Sequence, residues 1–250
     1  MAAKFSRTFL LRKLHQITGI VPLGFFFGVH MFTNAKAMNG PEVFNQAVED
    51  IHHLPFLVLI EIFGIFIPLL YHSVYGIFIS TEARNNVLTY GFGRNWLYLF
   101  QRISGIFLFV FILFHLLHFR FGLFSGFGLT DIAVAGNADR AFGIVAGDMQ
   151  SIGILIFYIL GVFATAWHLG YGIFLFAVDW GLVIGERAQR LTLAVCALIG
   201  FSLFAAGTNA AFSFVRPCGL MPAALCESAA ETGTAPVPSG APAQVGSERF

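Results

Sequence analysis

The sequence predicts an all-α membrane protein, a bundle of five transmembrane helices, on three observations. Of 250 residues, 57% are hydrophobic and only 11% charged, whereas a water-soluble domain carries about a quarter charged. Mean hydropathy is +0.79, so the surplus of apolar surface needs a solvent other than water. The apolar residues also gather into five stretches, each long enough to cross a hydrocarbon core of about 30 Å. A net charge of +1 gives nucleic acid no basic surface to bind; membrane lipid is the expected surrounding.

The stretches are residues 15–35, 55–80, 96–120, 150–179 and 191–215. In lipid every backbone polar group must be satisfied within its own segment, which demands helices, and the alternation of a barrel strand is missing. The first stretch carries Gln16 and His30 and is followed by no small-residue cleavage site, so it reads as a retained span. Pro68 predicts a kink in the second helix. Residues 1–215 form the expected transmembrane domain. Residues 216–250, rich in Pro, Ala, Ser and Gly, read as a disordered tail. Cys196 reads as a small core residue, and Cys218 with Cys226 as a disulfide if the tail meets an oxidising compartment.

Charge sets the expected direction. With the N-terminus inside, nine basic residues fall on inner segments, among them Lys4, Arg7, Arg12, Lys13 and Arg84, and five fall outside. Acids such as Glu42, Glu49, Asp50, Asp131, Asp139 and Asp148 fall in outer loops. The positive-inside rule then puts the N-terminus in the cytoplasm and the C-terminus outside a cytoplasmic (inner) membrane.

Four of the eight histidines lie inside apolar stretches, one in each of the first four helices: His30, His72, His115 and His168. An imidazole in hydrocarbon is costly and usually serves a partner. The first and third helices run outward and carry His30 and His115 near their outer ends. The second and fourth run inward and carry His72 and His168 past half-way. The four therefore sort into an outer pair, His30 with His115, and an inner pair, His72 with His168. Two histidines at one depth on facing helices are what bis-imidazole ligation of a haem iron needs, so haem sites are expected between the helices: two non-covalent haem b groups. No C-x-x-C-H motif is present for covalent attachment. Zinc would need further Cys or carboxylate ligands beside these positions.

Polar residues near the two depths are the next candidates. Arg102 precedes His115 by thirteen residues, about 20 Å of helix, and so sits near the inner surface with His15 and Gln16, where inner propionates could point. Glu61 lies about 16 Å outward of His72 and is the only acid well inside a span; it could carry a proton for a quinone or bond a polar neighbour. Glycines at 19, 24, 28, 64, 76, 105, 170 and 172 either let a flat macrocycle approach the backbone or serve helix–helix contact. His118 is read as a polar neighbour of His115, a propionate partner or a surface residue. Trp96 and Trp180 read as interfacial anchors first and as propionate donors second.

Taken in order, Arg12-Lys13-Leu14-His15, Gly19, His30, Leu54-Pro55-Phe56, Pro68-Leu69-Leu70-Tyr71-His72-Ser73-Val74-Tyr75-Gly76, Arg94-Asn95-Trp96, Gln101-Arg102-Ile103-Ser104-Gly105, His115, His168 and Ala177-Val178-Asp179-Trp180-Gly181 resemble one family. It is the cytochrome b membrane anchor of di-haem, single-anchor succinate dehydrogenases and menaquinol:fumarate reductases, and the likeness spans about residues 7–215. The resemblance implies a five-helix bundle with two haem b groups, menaquinone as substrate near the outer haem, and two cytoplasmic partners, a FAD flavoprotein and an iron–sulfur subunit. It also matches Gln16 and Arg102 to positions that hold inner-haem propionates. Some family members carry Glu two residues before the fourth-helix histidine, where this chain has Ala166. The expected function is electron relay between the cytoplasmic subunits and quinone, in an enzyme whose dicarboxylate is bound elsewhere. The competing readings are a di-haem cytochrome b of a hydrogenase or formate dehydrogenase, and a haem-free transporter or structural anchor.

Overall fold

A computed structural model describes residues 6–84, 86–123, 129, 132–216 and 218–222. Among these described residues, five helices are long and apolar enough to cross a membrane: α1 (Arg7–Asn39), α3 (Leu57–Glu82), α4 (Gly93–Arg120), α6 (Ile152–Asp179) and α7 (Glu186–Ser213). They match the five expected stretches to within two residues wherever they fall short, at residues 55, 150 and 215, and run past them at five ends, where polar residues at the interface continue a helix that apolar residues begin. Two shorter helices, α2 (Pro41–His52) and α5 (Ala141–Met149), lie between spans. Among the described residues no strand occurs. The N-terminal half of α1 packs beside the C-terminal half of α3, as antiparallel neighbours do.

Local chemistry sets the helix ends and bends. Ser6 caps α1, its side chain accepting from the Phe9 amide at 3.2 Å, which satisfies one of the free N–H groups of the first turn. Three segments wind more widely than an α-helix: Gly19–Gly24, Ile60–Phe66 and Leu116–Arg120. The first contains Pro22. The second ends just before Pro68, whose ring would crowd the carbonyl of Gly64 in a regular helix; the wider winding relieves the clash where the sequence predicts a kink. The third begins directly after His115 and turns His118 and Arg120 to new directions.

Packing is strongest where side chains are smallest. A Cβ placed on Gly170 would lie 2.9 Å from the Cys196 carbonyl oxygen, and one on Gly200 would lie 3.0 Å from that of Ala166. Ala166 and Gly170 are four apart on α6, as are Cys196 and Gly200 on α7, so each helix offers a strip of small residues and the two backbones meet. Cys196 is buried there, as expected of a core residue. At the end of the bundle away from the N-terminus, Phe44 and Val48 of α2 close over Phe111, Leu155, Tyr158 and Phe214. Asn45 ties α2 to α5: its Nδ2 donates to the Asp139 carbonyl at 2.6 Å and its Oδ1 accepts from the Phe142 amide at 2.8 Å.

Asp148 belongs to α5, not to a loop, and Asp131 lies outside the described residues, as does the tail from residue 223. Cys218 is disulfide-bonded, and Cys226 lies outside the described residues. Replacing Gly200 by Val should push α6 and α7 apart and cost about 1–3 kcal/mol, seen as earlier unfolding of the detergent-solubilised protein in an SDS titration; an unchanged midpoint would mean that the contact is not tight.

Candidate functional site

The four span histidines meet in the two expected pairs. The rings of His30 and His115 lie 5.7 Å apart, centre to centre, at 82°. Those of His72 and His168 lie 6.2 Å apart at 87°. Two imidazoles on opposite sides of one metal, at about 2 Å per bond, have ring centres about 6 Å apart, so both spacings suit one metal ion between each pair. Among the described residues no three His, Cys, Asp or Glu side chains converge on a common point. The donor set at each depth is therefore two imidazoles, which suits an ion whose other ligands come from a macrocycle.

Helix-borne oxygens hold the rings from behind. His72 donates from Nδ1 to the His15 carbonyl at 2.9 Å, which leaves Nε2 as the lone-pair nitrogen. Ser104 donates to the Gln101 carbonyl at 3.0 Å and lies 3.1 Å from His168 Nδ1, so it accepts from that nitrogen and again leaves Nε2 free. Gln101 in turn donates to the His168 carbonyl at 2.9 Å. Tyr158 brings its hydroxyl to 3.4 Å from His115 Nδ1. Such outer contacts fix the tautomer and orientation of a metal-binding imidazole. His30 differs: Asn34 Nδ2 lies 3.3 Å from its Nε2 and 2.8 Å from its carbonyl. A metal on that nitrogen requires the amide to keep only the second contact.

The glycines divide between the two readings. A Cβ on Gly19 would overlap the His72 ring, one on Gly76 would lie 2.9 Å from His15 Cε1, and one on Gly105 would lie 3.0 Å from His168 Cε1. These three make room for imidazoles. Gly170 serves the α6–α7 contact, Gly172 faces Gln101 Nε2 at 3.4 Å, and Gly28 has open space around it.

Gln16 sits at the N-terminal end of the bundle in a polar knot. It donates to Asp179 at 2.9 Å and accepts from Trp180 Nε1 at 2.9 Å, while Lys13 reaches the same Asp179 oxygen at 2.5 Å. Arg102 donates to the Ala83 carbonyl at 3.1 Å and lies over the Tyr98 ring at 5.1 Å, and its buried Nε has no partner. Glu61 pairs with Arg120 at 2.9 Å, its side chain 19% exposed. The intramembrane acid thus has the polar neighbour that was one of its two expected uses.

Three features lie beyond what the sequence signals. His15 stacks on His72 at 4.1 Å and 10°, with its Nδ1 buried and unpartnered; the sequence places it near the inner surface beside Gln16, and nothing there signals a contact with the His72 ring. Ser104 and Tyr158 give none, being common residues in any helix. His118 pairs with Asp148 at 2.8 Å, the two side chains 1% and 2% exposed; thirty residues separate them, and only the folding of α5 onto α4 unites them.

The fold and site define a multi-pass helical membrane protein with paired imidazoles in its interior. Residues 80–207 match the family described as the succinate dehydrogenase/fumarate reductase transmembrane subunit. The chain is also 38% identical over 210 residues to the succinate dehydrogenase cytochrome b558 subunit of Bacillus subtilis (strain 168), across 84% of this chain and 98% of that protein. The chain belongs to this family of succinate dehydrogenase/fumarate reductase transmembrane subunits. Its setting is therefore electron transport within a membrane enzyme complex, and the hydrogenase and formate dehydrogenase readings fall away.

The Glu61–Arg120 pair should couple by about 1 kcal/mol, at the upper end for a partly exposed pair. A double-mutant cycle of Glu61→Gln and Arg120→Gln, followed by SDS unfolding, measures it; strict additivity would mean that the ion pair contributes nothing.

Proposed function

We propose that this chain is the di-haem cytochrome b anchor of a succinate:quinone oxidoreductase, with menaquinone as the electron acceptor. The observation that carries the reading is the pair of near-perpendicular imidazole couples at metal-spanning distance and at two depths. His30 and His115 would hold one haem b, and His72 and His168 the other. Bound there, haem b supplies a one-electron carrier at each depth. The residues around it hold the tautomers through the His15 carbonyl, Ser104 and Tyr158.

The N-terminal end is assigned to the cytoplasm on the positive-inside argument. The flavoprotein and iron–sulfur partners would dock at that end. The unpartnered Nε of Arg102 suits a propionate. Gln16 would have to share its amide between Asp179 and a propionate. At the other end, Glu61 and Arg120 offer an acid and a donor at the lipid face, a chemistry that suits the polar head of a quinone.

Haem content tests the reading. The purified complex should carry two b-type haems per chain, by pyridine haemochrome assay against protein. His72→Ala or His168→Ala should remove one haem, and His30→Ala or His115→Ala the other. A single haem per chain, or two haems surviving any of these changes, would defeat it; absence of a Soret band would favour a haem-free anchor.

A further inference from the structure

Helices α4 and α7 both pack on α6 and leave a groove between their first turns. This is the end of the bundle that holds the N-terminus, since Lys13 of α1 bonds Asp179, the last residue of α6. The cavity measures about 260 Å³. Tyr171 and Phe174 of α6 form its floor, 7% and 8% exposed, with their rings stacked 5.6 Å apart. The two walls repeat one pattern. Arg94 of α4 is followed three residues later by Leu97, and Arg190 of α7 by Leu193, and all four line the groove. Both helices start at this end, so each leucine lies about 4.5 Å deeper than its arginine. The groove is therefore cationic where the two spans begin and apolar one turn further in.

The arginines hold only weak partners. Arg94 Nη2 donates to Gln189 Oε1 at 3.4 Å, a long contact, and Arg94 makes no ion pair among the described residues. Arg190 pairs with Glu186 at 3.6 Å, the side chains 71% and 74% exposed, and a pair so open to water is worth little. Two arginines thus face one acid, and the start of α7 adds partial positive charge.

We propose that this groove binds the phosphate headgroup of one anionic phospholipid between Arg94 and Arg190, with its acyl chains leaving over Leu97 and Leu193 into the bilayer. A basic pocket between spans at the bilayer surface gives such a headgroup both a favourable field and charge-assisted hydrogen bonds. A free anion would satisfy the arginines and leave the leucines and the aromatic floor uncovered. A second copy of the chain, meeting this one groove to groove, would set like charges face to face. No histidine lines the groove, so the site stands or falls apart from the haem reading.

The test uses the complete membrane complex, extracted in a neutral detergent and stripped of its native lipid. It is titrated with dioleoylphosphatidylglycerol while native mass spectrometry counts the lipids bound. The parent should take up one lipid per chain more tightly than the rest, and dioleoylphosphatidylcholine should not replace it. Each arginine at an anionic surface contributes about fivefold in affinity, so Arg94→Gln or Arg190→Gln should weaken the tight step by about that factor. Glu186→Gln should strengthen it. Arg187→Gln, which removes a charge beside the groove and not from it, should leave it unchanged. Should Arg94→Gln fail to assemble, Arg190→Gln carries the same expectation at an exposed position. Equal binding of the two lipids, an equal loss in Arg187→Gln, or no tight lipid on the parent overturns the proposal. Displacement of the lipid by inorganic phosphate also overturns it and assigns the groove to a free anion.

Discussion

An imidazole inside hydrocarbon is costly until its nitrogens find partners, and much of this bundle is arranged around that demand. The rings of His72 and His168 are each held at Nδ1 by an oxygen of a neighbouring helix, and that of His115 has the Tyr158 hydroxyl nearby. Holding a ring this way sets which nitrogen keeps its lone pair, and so decides what the ring can bind. The demand fixes the backbone as well. Helix α1 must bring the His15 carbonyl to α3, and α4 must bring Ser104 to α6. Both approaches are possible only because Gly19, Gly76 and Gly105 carry no side chain where the rings lie.

Depth was the legible quantity in the sequence. Successive spans alternate in direction, position along a helix follows from residue number at about 1.5 Å per residue, and the four histidines then sort themselves into pairs. Lateral neighbours were not legible in the same way. The stacking of His15 on His72 depends on how α1 rotates about its axis, and the wide turn around Pro22 alters that rotation. Asp148 read as a loop acid because α5 is short and nothing in its sequence announces that it folds back onto α4. Glu61 was rightly singled out as an intramembrane acid, but its partner Arg120 stood at the far end of another helix, beyond the reach of spacing arguments.

The glycines teach the same lesson from the other side. In sequence they form one class of small residue near a histidine. In three dimensions three of them admit a ring, one admits a neighbouring backbone, and Gly28 borders open space. What separates them is the direction of the missing Cβ, which a linear sequence does not carry.

The close contact of α6 with α7 also bears on where protons can be handled. Family members that carry Glu two residues before the fourth-helix histidine need space for a carboxylate at that position. Here Ala166 is 1% exposed and its carbonyl faces Gly200 across a backbone contact. With the whole residue buried, a longer side chain at 166 would have to displace its neighbours. Among the described residues the buried carboxylate is Asp148, joined to an imidazole of α4. That pair is kept from lipid by protein on every side, both side chains almost wholly buried, whereas the Glu61–Arg120 pair stays partly exposed within its spans.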